Sequence, residues 1–215
     1  VEAFFKKMNF PFTVGYGMTE CAPIITYDDW KEEKLYSCGK SAPNMEVRIA
    51  STDPVNIPGE IQVKGANVFL GYYKNDEATA EVFTEDGWFR TGDMGVLDHD
   101  GSLFIKGRTK CMILGPSGQN IYPEEVETVL NSQQYVVDSL VVEDNGGLTA
   151  LIYPDFPQGA KDGMKQDAFV KYMEDRLSEW NSILPNYARL KKVEVMSEDF
   201  ERTPKKSIKR YLYQR

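Results

Sequence analysis

The chain has 215 residues, of which 41% are apolar and 27% are charged, and its formal net charge is −8. This composition is that of a folded globular protein and excludes a disordered or fibrous chain. The acidic balance disfavours a nucleic-acid partner, because such proteins usually present a basic face, and no apolar run reaches the ~18 residues that a membrane-spanning helix needs.

The first half of the chain changes from a helical to a strand pattern. "VEAFFKKMNF" has apolar residues at helical spacing and ends at Pro11, and "FTVGYG" follows as a buried strand that enters a glycine loop. Short alternating stretches then predict hairpins or a small barrel: "EVRIA", "GEIQVKG", "GVLDHDG" and "SLFIKG". We therefore expect a β-barrel-like subdomain over residues 39–108. His99 lies in the tight turn "DHDG", where an exposed turn residue is expected rather than a ligand or base.

The second half predicts a compact α+β domain over residues 109–215, in a βαββαβ-like order. Its helices are "PEEVETVLNS", which begins at Pro123 with two acidic residues, and the amphipathic "MKQDAFVKYMEDRLSEWNSIL". Its strands are "CMILG", "YVVDSLVVED", "GLTALIYP" and "KKVEVM". "SGQN" and "PQGAKDG" are predicted loops. The predicted fold class is mixed α/β, with the barrel-like subdomain joined to the α+β domain by a hinge.

The three cysteines, Cys21, Cys38 and Cys111, have no paired spacing. Their odd number disfavours a disulfide framework and favours a reducing compartment, so we predict a cytoplasmic location. The first residues of the sequence show no signal-peptide pattern. The chain opens at Val1 within a helical pattern, so we expect it to be part of a longer protein.

Four blocks occur in order: "GYGMTE" (15–20), "GWFRTGDMG" (87–95), "GRTKCMI" (107–113) and "SGQNIYPEEVE" (117–127). Together they resemble the signature blocks of the adenylate-forming, or AMP-binding, superfamily, which includes acyl-CoA synthetases, luciferases and peptide-synthetase adenylation domains. Each block alone is weak, but four in this order are specific. The last block and the tail "FERTPKKSIKRYLY" look more similar to long-chain fatty acyl-CoA synthetases than to peptide-synthetase domains.

The resemblance implies a two-step ligase reaction. A carboxylate attacks the α-phosphate of Mg²⁺-bound ATP and gives an acyl-adenylate and pyrophosphate; the thiol of coenzyme A then displaces AMP. The implied substrates are ATP, a fatty acid and coenzyme A, and Mg²⁺ is the implied metal. Peripheral contact with a membrane through the acyl substrate is left open.

The resemblance assigns the first block to the nucleotide. Gly15 and Gly17 would let the backbone approach the nucleotide, and the ring of Tyr16 would face adenine. Thr19 would bond the α-phosphate, and Glu20 would hold Mg²⁺. Without the resemblance, the residues also fit a glycine turn beside a core tyrosine.

Four further positions match functional positions of the family. Asp93 would accept hydrogen bonds from the ribose hydroxyls, and the guanidinium of Arg108 would bind the ribose and adenylate. Lys110 falls at the hinge on which the small domain rotates between the two half-reactions. Gly118, in the loop "GPSGQN", would line the tunnel for the thiol acceptor.

The tail of the chain departs from the family at one position. "TPKKSIKR" resembles a block in which a lysine contacts the reacting carboxylate and α-phosphate, but Ser207 occupies the lysine position. Either Lys206 or Lys205 would supply the cation after a small backbone shift, or adenylation would proceed with weaker charge stabilisation. The tail is also consistent with a solvated basic face.

The family's phosphate-binding loop is absent from the sequence. We therefore expect the chain to be the C-terminal part of a ligase, in which residues 1–38 are the remnant of the large nucleotide-binding domain, and we expect no ligase activity from this part alone. Two alternatives stay open: an adenylation domain that loads a carrier-protein thiol, and a non-catalytic AMP-binding module.

Overall fold

A computed structural model describes residues 1–115 and 118–215. The chain divides into two units, Val1–Lys110 and Cys111–Arg215. Within the described residues, no helix has both the length and the apolar character needed to cross a bilayer.

The first unit contains two short helices and seven strands. The helices are α1 (Glu2–Lys7) and α2 (Asp76–Val82). The strands are β1 (Tyr16–Gly17), β2 (Ile24–Tyr27), β3 (Lys40–Ser41), β4 (Met45–Ala50), β5 (Gly59–Gly65), β6 (Phe89–Leu97) and β7 (Leu103–Arg108). The predicted strand "FTVGYG" is reduced to its last two residues.

Two antiparallel sheets form the first unit, in the orders β1-β2-β3 and β4-β5-β6-β7. The second sheet pairs strands that are consecutive in sequence, as the alternating pattern between turns predicts. It stays an open four-stranded sheet and does not close into a barrel. His99 is exposed in the turn between β6 and β7, as expected.

One hydrophobic core joins the opening segment to the later strands. Ile25 of β2 packs in the same buried cluster as Ile61, Phe89 and Leu103, and each of these residues is at most 1% exposed. Burying such side chains stabilises the fold by about 1.5–3 kcal/mol each. Residues on both sides of position 39 therefore share one core.

The second unit contains three helices and five strands within its described residues. The helices are α3 (Pro123–Leu130), α4 (Phe156–Lys161) and α5 (Ala168–Ile183). The strands are β8 (Ile113–Leu114), β9 (Asn120–Ile121), β10 (Val136–Asp144), β11 (Gly147–Pro154) and β12 (Leu190–Val195). The predicted mixed α/β fold class, with an α+β second unit, is confirmed.

The sheet of the second unit has the order β10-β11-β12, with β11 and β12 parallel. Helix α5 buries Phe169, Met173 and Trp180, whose spacings of four and seven residues place them on one helical face. These side chains share a core with Leu130 of α3. The strands β8 and β9 form a separate hairpin.

The prediction of a loop at "PQGAKDG" is wrong, because α4 occupies most of it. Asp155 caps this helix by accepting a hydrogen bond from the Gln158 amide at 2.9 Å. The aromatic ring of Phe169 packs where a side chain on Gly159 would lie. Tertiary packing therefore makes a helix from residues whose Pro and Gly content is typical of a loop.

Candidate functional site

Three of the predicted site residues meet at one carboxylate in the first unit. The Tyr16 hydroxyl donates a hydrogen bond to Asp93 Oδ2 at 2.6 Å. Arg108 Nε lies 3.3 Å from Asp93 Oδ1. We call Tyr16, Asp93 and Arg108 the Asp93 cluster. Its members come from three separate sequence blocks.

The strand register explains why Asp93 and Arg108 meet. They are direct partners across the antiparallel pair of β6 and β7, where opposite charges on facing side chains attract. The Asp93 amide donates to Thr91 Oγ1 at 3.1 Å, and the same hydroxyl donates to the Ile61 carbonyl at 2.8 Å. Thr91 thus ties the backbone of Asp93 to β5. It lies within the block "GWFRTGDMG", but no role was predicted for it.

The two neighbours of Asp93 differ in exposure. Tyr16 is buried, with 8% of its surface exposed, whereas the Arg108 side chain is 71% exposed. Burial, and then the negative charge of Asp93, raises the pKa of the Tyr16 hydroxyl, so it stays protonated and remains a donor. Because most of the Tyr16 ring is enclosed by protein, stacking on adenine stays a prediction. Arg108 leaves most of its guanidinium open to a ligand.

The glycine loop has a packing reason of its own. A Cβ on Gly17 would lie 2.0 Å from the Pro23 carbonyl oxygen, so this position requires glycine for the approach of its own hairpin. Gly15 is exposed, and its Cβ would lie 3.1 Å from the Thr26 carbonyl oxygen. Whether either glycine also approaches a nucleotide stays a prediction.

Thr19 and Glu20 follow this loop in a single 3₁₀ turn, Thr19–Cys21. Thr19 is exposed, and its hydroxyl makes no hydrogen bond within residues 1–115 and 118–215. The Tyr72 hydroxyl donates to Glu20 Oε1 at 3.2 Å. Tyr72 was not singled out in the sequence, because no spacing pattern links it to Glu20.

The residues present fit a magnesium site only in part. No group of three or more His, Cys, Asp or Glu side chains that could hold a metal occurs in the described parts of the chain. Mg²⁺ is commonly held by one or two carboxylates together with substrate phosphates and water. Glu20 can supply one such carboxylate, since Tyr72 occupies only one of its oxygens.

Lys110 and Gly118 fall on either side of the sequence boundary between the two units. Lys110 is exposed in the 3₁₀ turn Thr109–Cys111 and is the last residue of the first unit. Gly118 has φ +78°, and its amide donates to the Gly115 carbonyl at 2.9 Å. This left-handed backbone explains the glycine. The other members of the predicted tunnel loop include Pro116 and Ser117, which lie outside the described residues.

The tail of the second unit forms a short hairpin, defined here as residues 202–208. Arg202 and Ile208 form an antiparallel bridge. The Thr203 amide donates to the Ser207 carbonyl, and the Lys206 amide donates to the Thr203 carbonyl, each at 2.8 Å. The hydroxyls of Thr203 and Ser207 lie 2.7 Å apart and share a hydrogen bond. The Ser207 side chain is therefore part of the hairpin.

The lysines of the tail differ in their partners. Lys209 Nζ donates to Glu201 at 3.1 Å. Across residues 1–115 and 118–215, the ammonium groups of Lys205 and Lys206 have no hydrogen bond or ion pair, and both residues are exposed. Of these three lysines, only Lys205 and Lys206 therefore present an unpaired cation.

Arg210 anchors the chain beyond the hairpin. Its guanidinium bonds Glu127 of α3, whose other oxygen accepts the Val141 amide at 2.7 Å. Burial raises the pKa of the Glu127 carboxyl, and the charge of Arg210 opposes that rise. A buried pair with this many hydrogen bonds is costly to break, so it fixes where the tail begins its last turn.

Comparison with known proteins relates both units to one enzyme family. Residues 1–73 match the family described as AMP-binding enzyme, and residues 112–215 match the AMP-binding enzyme C-terminal domain. Long-chain-fatty-acid–CoA ligase FadD15 of Mycobacterium bovis is 36% identical over 141 residues, covering 66% of this chain and 22% of the relative. 2-Methylpropanoate–CoA ligase CCL4 of Humulus lupulus is 30% identical over 229 residues, covering 96% of this chain and 40% of the relative.

A solved structure agrees with these sequence matches. O-succinylbenzoate coenzyme A synthetase (MenE) from Bacillus subtilis, in complex with ATP and magnesium ion, superposes with a TM-score of 0.80 at 29% identity. The match covers 96% of this chain and 42% of that chain. The chain thus spans less than half the length of each of these three relatives, which differ in the acid that their names give.

Proposed function

The chain belongs to the AMP-binding enzyme superfamily, and on that premise we propose that it is the C-terminal part of an ATP-dependent, AMP-forming acid–CoA ligase. The Asp93 cluster carries this proposal. Three blocks far apart in sequence supply one carboxylate, one enclosed hydroxyl and one open guanidinium within hydrogen-bond or ion-pair distance. A sugar with neighbouring hydroxyls and a phosphate next to it would suit such a set.

Asp93 acts as the ribose acceptor in this proposal. One of its oxygens already accepts from Tyr16, and that bond fixes the direction of the carboxylate. A carboxylate oxygen has a further lone pair, so a ribose hydroxyl can donate to the same group. Arg108 would turn its exposed guanidinium toward the adenylate phosphate while staying beside Asp93.

In the first half-reaction, a substrate carboxylate oxygen attacks the α-phosphorus of ATP, an acyl–phosphate bond forms, and pyrophosphate leaves. Thr19 would donate its hydroxyl to an α-phosphate oxygen, and Lys206 would bring an ammonium to the charge that builds there. Glu20 would hold Mg²⁺, and this ion when bound supplies positive charge against the phosphate oxygens.

In the second half-reaction, the thiol of coenzyme A attacks the acyl carbon, and AMP leaves with the electron pair of the broken C–O bond. Lys110 would absorb the backbone rotation of the small domain between the two half-reactions. That rotation would withdraw Lys206 from the reacting group and bring the thiol tunnel beside Gly118 to it. Asp93 keeps the same ribose in both steps, so its contribution is to binding throughout the cycle.

For the acid, we propose a fatty acid, and for the location, the cytoplasm. The similarity to FadD15 and the fatty-acyl-like tail support this choice of acid. A panel of acids tested for ATP–pyrophosphate exchange, from 2-methylpropanoate and succinylbenzoate to palmitate, decides the substrate class. A preference for the aromatic or short branched acid would overturn the fatty-acid assignment and leave the ligase assignment intact.

The nucleotide role is tested by AMP binding to the product of the complete open reading frame, measured by calorimetry. A hydrogen bond to a charged group is worth about 1.5–3 kcal/mol, so Asp93→Asn should weaken AMP binding about 10- to 100-fold. Asp86→Asn is the matched control. That aspartate pairs with Arg48 in the same unit, but it is exposed and makes no contact with the Asp93 cluster. Equal affinity of the two variants would remove Asp93 from the nucleotide site.

A non-catalytic AMP-binding module is the second candidate, and Ser207 favours it. A serine at the lysine position cannot supply a cation, and its hydroxyl is already bonded to Thr203. Normal AMP binding by the complete product, with no exchange of pyrophosphate for any acid of the panel, would support this alternative.

A further inference from the structure

The hairpin at residues 202–208 holds one residue in an unusual backbone conformation. Lys206 has φ +65°, in the left-handed region that non-glycine residues rarely adopt. Two bonds fix it there: its amide donates to the Thr203 carbonyl at 2.8 Å, and its carbonyl accepts from Arg202 Nη1 at 3.2 Å. The Lys206 side chain makes no such contact within the described chain, so the hairpin constrains the backbone and leaves the ammonium exposed.

Arg202 is itself held in place by two carboxylates. Its Nη2 donates to Asp138 Oδ2 at 2.8 Å and to Asp199 Oδ1 at 3.0 Å. Asp138 lies on β10, and its other oxygen accepts from the Ser139 amide at 3.0 Å and from Asn131 at 3.2 Å. The guanidinium thus connects the central sheet of the second unit to the Lys206 carbonyl. A planar guanidinium with several N–H donors can bond the two carboxylates and the Lys206 carbonyl at once, which a single ammonium cannot.

We propose that Arg202 is a positioning residue for adenylation, which holds Lys206 in the left-handed turn that presents its ammonium to the reacting carboxylate and α-phosphate. This inference rests on the proposed function. It also gives Ser207 a role: its hydroxyl bond to Thr203 closes the same turn. Displacing a reacting group by about 1 Å can cost up to about 10²-fold in rate, so loss of this support should be visible in kinetics.

Arg202→Lys is the informative variant. Lysine keeps the charge beside Asp138 and Asp199, but its single nitrogen cannot reach both carboxylates and the Lys206 carbonyl. Arg215→Lys is the matched control, because Arg215 also bridges two carboxylates of the second unit, Asp144 and Glu194, and forms no hydrogen bond or ion pair with residues 202–208. Both variants are made in the product of the complete open reading frame.

The two half-reactions are measured separately, adenylation by ATP–pyrophosphate exchange and thioester formation from supplied acyl-adenylate. We expect Arg202→Lys to lower kcat for adenylation about 10-fold or more with little change in KM for ATP, and to leave thioester formation within about twofold. Arg215→Lys should leave both within about twofold. Unchanged adenylation in Arg202→Lys, or an equal fall in both half-reactions, would overturn the proposal.

A second measurement does not depend on activity. In NMR spectra of the 215-residue chain, the left-handed turn gives a strong intraresidue contact between the amide and α protons of Lys206, and we expect Arg202→Lys to weaken it. A Lys206 conformation that is the same in both proteins overturns the proposal. If the unaltered product of the complete open reading frame exchanges no pyrophosphate, the proposed ligase function fails. The NMR result then decides by itself whether Arg202 fixes the turn at Lys206.

Discussion

We expect the hydrogen bond between Tyr16 and Asp93 to give a measurable coupling free energy between these two residues. Tyr16→Phe removes a hydroxyl that donates to a carboxylate at 2.6 Å and leaves the ring volume almost unchanged. Hydrogen bonds to charged groups contribute about 1.5–3 kcal/mol. Asp93 would keep Arg108 and some contact with solvent, since its side chain is 12% exposed. We therefore expect the free energy of unfolding of the first unit to fall by about 1–2 kcal/mol.

A double-mutant cycle separates this bond from its surroundings. In Asp93→Asn the carboxylate is lost, and with it the attraction to Arg108, which contributes little because the arginine is 71% exposed. The double variant should be about 1 kcal/mol more stable than the sum of the two single changes predicts. The cycle is measured in the 215-residue chain by urea unfolding with peptide-level hydrogen exchange, which reports the two units separately. Additive effects, or a Tyr16→Phe change below about 0.5 kcal/mol, would show that the bond contributes nothing.

Three further predictions concern the rest of the chain. Trypsin should cut first after Arg108 or Lys110, at the boundary of the two units; a first cut after Lys64 in β5 or after Lys191 in β12 would contradict this. Arg215 and then Lys192 hold the pKa of Glu194 at about 2, below its ordinary value of 4.5, so this carboxylate stabilises the second unit above pH 4.5 and loses that effect as the pH falls toward 2. Arg215→Ala should flatten this decline in thermal unfolding, and an unchanged decline would refute it. Burial raises the pKa of the Cys21 thiol to about 11, so a disulfide reagent at pH 8 should modify it much faster in urea than in the native chain; equal rates would be inconsistent with that burial.

Local signals were enough to predict most elements. The alternating stretches between residues 45 and 108 became β4 to β7, because side chains of period two fit a sheet with one buried face. The pair of acidic residues after Pro123 correctly predicted the start of α3. Three of the four blocks supply Tyr16, Asp93 and Arg108, which are widely separated in sequence and lie close together in the structure; their role toward a nucleotide stays a prediction.

Features that depend on tertiary contacts could not be predicted from the pattern. Helix α4 contains Pro157 and Gly159, which favour a loop in isolation, and it becomes helical where the ring of Phe169 packs on it. The resemblance assigned Gly17 to the close approach of a nucleotide. In the structure the Pro23 carbonyl oxygen already excludes a side chain there. The contact of Tyr72 with Glu20 joins residues 52 positions apart without any repeating signal.

The tail shows why residue identity alone does not decide which lysine reaches the substrate. Aligned by its letters, the family lysine falls on Ser207, and three lysines lie within two positions of it. The structure distinguishes them by their partners, because Glu201 pairs with Lys209 and the other two ammonium groups are unpaired within the described residues. Of those two, only Lys206 lies in the left-handed turn, with its carbonyl bonded to Arg202. A side chain that extends from a fixed backbone loses less conformational freedom on binding than a side chain on a flexible loop. The conformation of the hairpin, together with the charges around it, therefore supports the proposal that Lys206, rather than its neighbour, is the cation for adenylation.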